Sequence, residues 1–334
     1  MKKILSMVLS IIMIFSLVAL VGCGEKTETY KFGMGTYSYV AKATDADGDT
    51  NGEAEVITNA VAVLLDSEGK IVKCTIDVAD NKVAYGSDGK AVAATEFKTK
   101  RELGNAYGMV AYAGSKNEWF AQADIFAELC IGKTADEVAA LEAEGKKGTK
   151  DVVNAGCTIM VNEFVAAIKA ACESAEDATV SKDDTLKVGV VTVATAKDAT
   201  DEASGSQKVV TTVAAAAVNK DGKVVAFATD DIQTEFKFTK EGKKDGDATV
   251  TSKLAAGDNY NMSKFGADLN GDGKVLEWYA QAEAFEAACV GKTASEISAL
   301  AAGDGYGVAD LQSAGCTIAV KDMVKAAVKA ATVA

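Results

Sequence analysis

The 334-residue sequence contains no histidine and no proline. Without histidine the chain cannot form a Ser-His-Asp or Cys-His catalytic arrangement, a histidine-based zinc site or an imidazole proton relay. Without proline it has neither a cis-prolyl turn nor a PxxP ligand segment. Positive charge is also scarce: 35 Lys and Arg residues stand against 48 Asp and Glu residues, giving a net charge of −13. This balance argues against nucleic acid as a partner, because such affinity depends largely on neutralising phosphates.

The N-terminus has the pattern of an export signal. Lys2 and Lys3 precede an apolar run over residues 4–21, which ends in Leu-Val-Gly-Cys at Cys23. This end resembles a bacterial lipoprotein box, and it predicts a signal peptide over 1–22 and a lipidated Cys23 with a short tether over 23–27. The remainder is then anchored to the outer face of the bacterial cell membrane and exposed to the extracellular space. The alternative is an uncleaved transmembrane anchor, since about 18 apolar residues can just span a bilayer.

The rest of the chain is one unit used twice. The hexapeptide Glu-Trp-Phe-Ala-Gln-Ala at 118–123 recurs as Glu-Trp-Tyr-Ala-Gln-Ala at 277–282, and 118–172 aligns with 277–331 without gaps. A self-match of this length indicates tandem repeats. With 49% hydrophobic residues, each repeat can bury a core. We predict repeats over 28–178 and 181–334.

Within each repeat, strands come first and helices follow. Residues 55–65 with 71–78, and 209–218 with 223–229, are β-branched, apolar runs around Gly-containing turns, which predicts two hairpins. Apolar residues at helical spacing follow, beginning at Trp119 and Trp278. This order predicts an α+β fold in which each repeat is an antiparallel sheet with helices packed on one face.

Gly-Lys-Thr occurs once in each repeat. A phosphate-binding Walker loop is excluded, because its first glycine would have to stand where Ala127 and Glu286 stand. The segment instead places Thr134 three residues before Glu137, and Thr293 three residues before Glu296. This spacing predicts a capping box that starts a helix in each repeat.

Ala-Gly-Cys-Thr precedes the last helix of both repeats. A turn of this kind before a helix start can present N–H groups and a hydroxyl to an anion. With the hairpin, the apolar helix and the Gly-Lys-Thr-x-x-Glu element, it is similar to the FMN-binding domain family. That family is found in flavin-carrying subunits of membrane redox complexes and in exported flavoprotein lipoproteins.

The resemblance implies which residues hold a flavin, bound covalently or non-covalently. Thr158 and Thr317 match the threonine that the family esterifies to the FMN phosphate. Gly156 and Gly315 match the motif glycine. Cys157 and Cys316 stand where the family has alanine, beside the flavin-bearing position.

Cysteine spacing leaves two alternatives. Apart from Cys23 there are six cysteines: Cys74, Cys130, Cys157, Cys172, Cys289 and Cys316. Their placement in the repeats favours the disulfides 130–157, 289–316 and 74–172. The alternative is that all six are small, buried, reduced side chains.

Asp268, Asn270 and Asp272 match the start of a calcium-binding loop, although Tyr279 stands where the closing carboxylate belongs. They predict a weak calcium site, with an acidic glycine turn as the alternative. The aromatic residues that recur in step either stack on a ligand or pack in the core. They are Tyr107, Trp119, Tyr260 and Trp278.

The expected function is that of a surface lipoprotein resembling FMN-binding electron carriers. It would pass electrons between a membrane redox complex and an extracellular acceptor. The alternative is a non-redox surface module that binds a small ligand, a partner protein or calcium and keeps the fold without flavin. Neither the oligomeric state nor the electron donor follows from the sequence.

Overall fold

The structure is a computed structural model that describes residues 29–93, 97–266, 268, 271 and 273–333. The predicted signal peptide (1–22), Cys23 and the tether (23–27) lie outside the described residues, and so do Asn270 and Asp272. Within the described part of the chain, no helix is long and apolar enough to cross a membrane.

Each half of the chain forms an antiparallel sheet. The first sheet contains β1 (Tyr30–Thr44), β2 (Gly52–Leu65), β3 (Ile71–Tyr85), β4 (Ala91–Val92) and β5 (Glu176–Ala178), in the order β4-β3-β2-β1-β5. The second contains β6 (Thr185–Lys197), β7 (Gly205–Val218), β8 (Val224–Phe238) and β9 (Thr249–Ser252), in the order β6-β7-β8-β9. Both predicted hairpins are confirmed, since β2 pairs with β3 and β7 with β8.

The helices follow the same order in both halves. The first half has α1 (Lys100–Leu103), α2 (Met109–Ala113), α3 (Trp119–Cys130), α4 (Ala135–Ala139), α5 (Lys150–Ala155) and α6 (Asn162–Glu173). The second has α7 (Lys253–Ala256), α8 (Met262–Phe265), α9 (Trp278–Cys289), α10 (Ala294–Ser298), α11 (Ala309–Ser313) and α12 (Lys321–Ala331). The capping boxes at Thr134 and Thr293 start α4 and α10, as predicted.

The two sheets pack face to face, and helices cover their outer faces. On β2, Val61 and Val63 face α3 and α6, whereas Ala60 and Leu64 face the second sheet. The side chains of β7 alternate in the same way between the helices of the second half and the first sheet. Both faces of both sheets are therefore buried. The predicted α+β class with helices on one face of each sheet is therefore confirmed. The sheet-on-sheet contact was not predicted.

The last helix of each half crosses the first strand of its sheet at a glycine. A Cβ at Gly35 of β1 would lie 2.2 Å from the carbonyl oxygen of Ala167 in α6. A Cβ at Gly189 of β6 would lie 2.1 Å from the carbonyl oxygen of Ala326 in α12. These distances leave no room for any side chain, so glycine sets how closely helix and sheet approach.

Candidate functional site

A buried glutamine on the tryptophan helix holds the motif threonine in both halves. The N–H and hydroxyl of Thr158 donate to Oε1 of Gln122 over 2.7 and 3.0 Å. Those of Thr317 donate to Oε1 of Gln281 over 2.8 and 3.0 Å. Neither glutamine is more than 1% exposed. Each glutamine amide also donates to a backbone carbonyl, at 2.9 Å in the first half and 2.8 Å in the second, which fixes its orientation.

These glutamines were not predicted as functional residues from the sequence. The available signal was their recurrence in Glu-Trp-x-Ala-Gln-Ala, where a long polar side chain lies on the apolar face of α3 and α9. A buried amide requires partners of its own, because an unsatisfied one costs about 1–3 kcal/mol. A polar residue that recurs on an apolar helix face therefore indicates a fixed hydrogen-bond partner.

The N–H groups of the motif turn are used within the chain. Those of Gly156 and Cys157 donate to carbonyls of α5, and those of Gly315 and Cys316 donate to carbonyls of α11. The expectation that this turn presents its N–H groups to an anion is wrong, because the turn closes the preceding helix instead. Gly156 and Gly315 have φ values of 111° and 102°, which suits glycine at a helix end.

Cys157 and Cys316 lie in the cores, with no exposed surface. Burial raises the pKa of Cys157 to about 11 and that of Cys316 to about 12. Both thiols therefore pack among core side chains, and a part for them in holding a flavin stays a prediction. All six cysteines among the described residues are free thiols in the structure. None of the three favoured disulfides is therefore formed in it.

A thiol titration checks this state in a Cys23→Ser chain prepared without reductant. In denaturant we expect all six thiols to react with a disulfide reagent. In the folded protein the buried thiols react slowly, because the thiolate is the nucleophile and burial raises their pKa. A reduced sample is the control. Fewer reactive thiols than in that control would mean that disulfides form.

A cavity of about 260 Å³ adjoins Thr317. Besides Thr317 it is lined by Asp231, Lys253, Trp278 and Tyr306. Nζ of Lys253 lies 2.8 Å from the carboxylate of Asp231, and these side chains are 13% and 11% exposed. Burial alone would lower the pKa of Lys253, but the carboxylate raises it, so the side chain stays an ammonium. The cavity thus combines a hydroxyl, a lysine–aspartate ion pair and an aromatic wall.

In the first half, Lys100 also pairs with a carboxylate and lies over a tyrosine ring. Nζ of Lys100 lies 3.3 Å from the carboxylate of Asp80 and 5.1 Å from the ring centre of Tyr107. In the second half, Nζ of Lys253 lies 5.4 Å from the ring centre of Tyr260. Such placements are typical of cation–π contacts.

The recurring tryptophans are core residues. Trp119 is 4% exposed and Trp278 is 1% exposed, and each packs in the core of its own half. The core alternative is therefore confirmed for both. Trp278 also forms part of the cavity wall, with its ring centre 5.6 Å from Nζ of Lys253.

The acidic loop is described only in part. The carboxylate of Asp268 accepts hydrogen bonds from the N–H groups of Gly271 and Gly273, at 2.8 and 2.9 Å. Glu277, the carboxylate two residues before Tyr279, is engaged elsewhere, because it accepts the N–H group of Met262 at 2.8 Å. Among the residues that the structure describes, no group of three or more acidic or cysteine side chains is arranged to hold a metal ion. Calcium binding therefore stays a prediction.

Comparison with known proteins shows one partial similarity. No protein-family model matches the chain. No solved structure matches it either. Among curated proteins, the chain is similar to chlorophenol reductase of Desulfitobacterium hafniense, with 41% identity over 91 aligned residues. The alignment covers 23% of this chain and 28% of that protein. The chain therefore spans less than a third of the length of this relative, and the similarity assigns it to no family.

Proposed function

We propose that this protein is a lipid-anchored flavoprotein of the bacterial cell surface that transfers electrons. The observation that carries the proposal is the threonine held by a buried glutamine in both halves, which in the second half shares a cavity with Lys253. Partial similarity to a protein named a reductase is in keeping with a redox function. The lipid anchor and the membrane redox complex as electron donor belong to the same proposal and rest on the sequence resemblance.

The residues at Thr317 suit one end of a flavin nucleotide. The ammonium of Lys253 lines the cavity and gives a phosphate a charge-assisted hydrogen bond, in a position that it shares with the carboxylate of Asp231. The hydroxyl of Thr317 would donate to a phosphate only by turning its proton away from Gln281. At about 260 Å³ the cavity is smaller than the ~300–1,000 Å³ of most small-molecule pockets, so the remainder of the ligand would lie outside it. Bound flavin would supply the redox chemistry.

The hydrogen bonds favour non-covalent binding over esterification. The Thr317 hydroxyl gives its proton to Gln281, and an ester at that oxygen would have no proton to give. The Thr317 N–H would still bond the same Oε1, so esterification costs one hydrogen bond of about 1 kcal/mol and leaves the turn intact. Thr158 has the same arrangement and is more exposed.

The two threonines lie on opposite sides of the protein. Thr158 follows Cys157, which packs in the core between the first sheet and its helices, and Thr317 follows Cys316, which packs in the corresponding core of the second half. Packed sheets are about 10 Å apart, and a layer of helix packing separates each threonine from that contact. Each flavin would therefore exchange electrons with its own partner rather than with the other flavin.

An absorbance spectrum and an intact mass test the proposal, on protein made in a host that supplies a flavin transferase. We expect visible flavin absorption that Thr158→Ala/Thr317→Ala removes and the exposed control Thr249→Ala retains. An unchanged polypeptide mass, with the absorption lost on denaturation, would show non-covalent flavin, and a mass gain would show the ester. A colourless protein of unchanged mass would contradict the proposal and favour the non-redox binding module.

A further inference from the structure

A groove on the outer side of the second half lies apart from Thr317, which does not line it. It runs between α12 and the edge strand β6, with Phe97 in its wall. Its volume is about 870 Å³, within the ~300–1,000 Å³ of pockets that hold small molecules. The groove is therefore large enough to hold a whole small ligand.

The floor of the groove is apolar and its rim is cationic. Val191 and Val193 of β6 and Val324 of α12 contribute aliphatic surface. Successive turns of α12 add the rim lysines, which are Lys321, Lys325 and Lys329. An apolar floor beside several ammonium groups suits a ligand that has an apolar body and a negative group.

The rim keeps an excess of positive charge after its ion pairs are counted. Nζ of Lys325 lies 2.7 Å from Asp322, and Lys329 pairs with Glu102. Lys321 makes no ion pair within the residues that the structure describes. Three ammonium groups thus face two carboxylates, in a chain whose net charge is −13.

The first half fills the corresponding strand positions with aromatic rings. Val191 and Val193 stand two and four residues after Gly189, and Tyr37 and Tyr39 stand two and four residues after Gly35. Both glycines lie under the last helix of their half, so the positions correspond. The ring centres of Tyr37 and Tyr39 are 5.8 Å apart. In the first half, the tyrosine rings therefore occupy the positions at which the second half has the smaller valines that line the groove.

The hydroxyl of Tyr39 also donates to the carboxylate of Glu163 on α6. In the first half a ring and an oxygen therefore bridge the strand and the helix. In the second half Val193 makes no such bridge, because it has neither a ring nor a hydroxyl.

The last helices of the two halves also differ at the positions that face the groove. Helix α6 begins at Asn162 and α12 at Lys321. Counted from these residues, Ala166 and Ala170 correspond to Lys325 and Lys329. The first half therefore lacks two of the rim lysines, and its lysine on this part of the helix, Lys169, corresponds to Val328 and pairs with Glu173.

We propose that this groove binds a small aromatic anion. Its ring lies on Val191 and Val193, where the first half places the tyrosine rings. Its carboxylate, sulfonate, phosphate or phenolate group lies at the lysines of α12. The site requires neither flavin nor Thr317, and it does not depend on the function proposed above.

Two fluorescent probes with the same ring system test the proposal on the full chain. The anionic probe is 1-anilinonaphthalene-8-sulfonate, and the neutral one is N-phenyl-1-naphthylamine. We expect one saturable site for the sulfonate that binds it roughly tenfold more tightly than the neutral probe.

Two variants separate the ring contact from the charge. Val191→Tyr/Val193→Tyr, which copies the first half, is expected to weaken both probes by at least about tenfold. Lys321→Gln/Lys325→Gln changes only exposed side chains, and it is expected to weaken the sulfonate about three- to tenfold and leave the neutral probe unchanged. The control Lys147→Gln/Lys150→Gln removes two exposed lysines of the first half and should bind both probes as the parent does.

Equal binding of the two probes by the parent chain would overturn the proposal. An unchanged affinity for the sulfonate in the lysine variant would also overturn it. If the tyrosine variant does not fold, the lysine variant decides alone, because its substitutions lie at exposed positions.

Discussion

Gly189→Ala is expected to lower the free energy of unfolding by about 3 kcal/mol, at the upper end of the usual cost of an overpacked core. The new Cβ would lie 2.1 Å from the carbonyl oxygen of Ala326 and 2.7 Å from the nitrogen of Ala330. Both are backbone atoms of α12, so no rotamer change relieves the clash. The helix must move away from β6, which loosens the core beneath it. Chemical denaturation of parent and variant measures the loss.

The first half allows the same test. Gly35→Ala places a Cβ 2.2 Å from the carbonyl oxygen of Ala167 in α6, and a similar loss is expected. Because residues of both sheets share one core, either variant should shift a single transition of the whole chain. Two transitions, of which only one moves, would contradict a shared core.

Gly303 provides the matched control. A Cβ there would meet no atom within 4 Å, and φ lies outside the left-handed region. Gly303→Ala is therefore expected to change the free energy of unfolding by no more than about 0.5 kcal/mol. A loss at Gly303 as large as that at Gly189 would show that the close helix contact is not the cause.

The second large effect is expected at Glu286, whose replacement by glutamine should stabilise the protein at alkaline pH. Burial of this carboxyl group on α9 raises its pKa from 4.5 to about 8, even though its Oε1 accepts the N–H of Thr229 at 2.7 Å. Between these values the folded chain keeps a proton that the unfolded chain has lost. The free energy of unfolding therefore falls as the pH rises from about 4.5 to 8.

Glu286→Gln keeps a neutral side chain that still accepts the Thr229 N–H. At pH 9 the variant is expected to exceed the parent in free energy of unfolding by on the order of 3 kcal/mol, and at pH 4.5 to equal it. Denaturation at a series of pH values measures both. Asp77 and Asp230, whose pKa burial raises to about 6, leave some pH dependence in the variant.

Glu283→Gln is the control for this experiment. Glu283 is exposed on the same helix, so its replacement changes the charge of α9 without changing the carboxyl group that has the raised pKa. It should follow the pH profile of the parent closely. A parent profile that is flat between pH 5 and 8 would contradict a Glu286 that keeps its proton in the folded chain.

Local elements of the fold could be predicted from the sequence because their signals are local. The hairpins follow from turn residues between β-branched runs, and α4 and α10 follow from a threonine and a glutamate three residues apart. The ends of the long strands β1 and β6 could not be predicted, because glycine, threonine and tyrosine residues interrupt the alternation of apolar and polar side chains.

The contact between the sheets could not be derived in the same way. The unbroken apolar runs at 60–65 and 213–218 indicate strands buried on both faces. They do not say what covers the second face, since helices and another sheet bury apolar side chains equally well. At the site, the threonines were identified from a motif, whereas their glutamine partners stand 36 residues away and are brought to them only by the fold.

The face-to-face packing makes this protein the covalent counterpart of a homodimer. A chain with one repeat would leave an apolar sheet face uncovered, and a second copy would have to cover it at a strength set by concentration. Joining the two repeats makes that pairing independent of concentration. It also removes the symmetry of a homodimer, in which every substitution appears on both sides. The two halves can then differ at corresponding positions, with tyrosines in the first and lysines in the second.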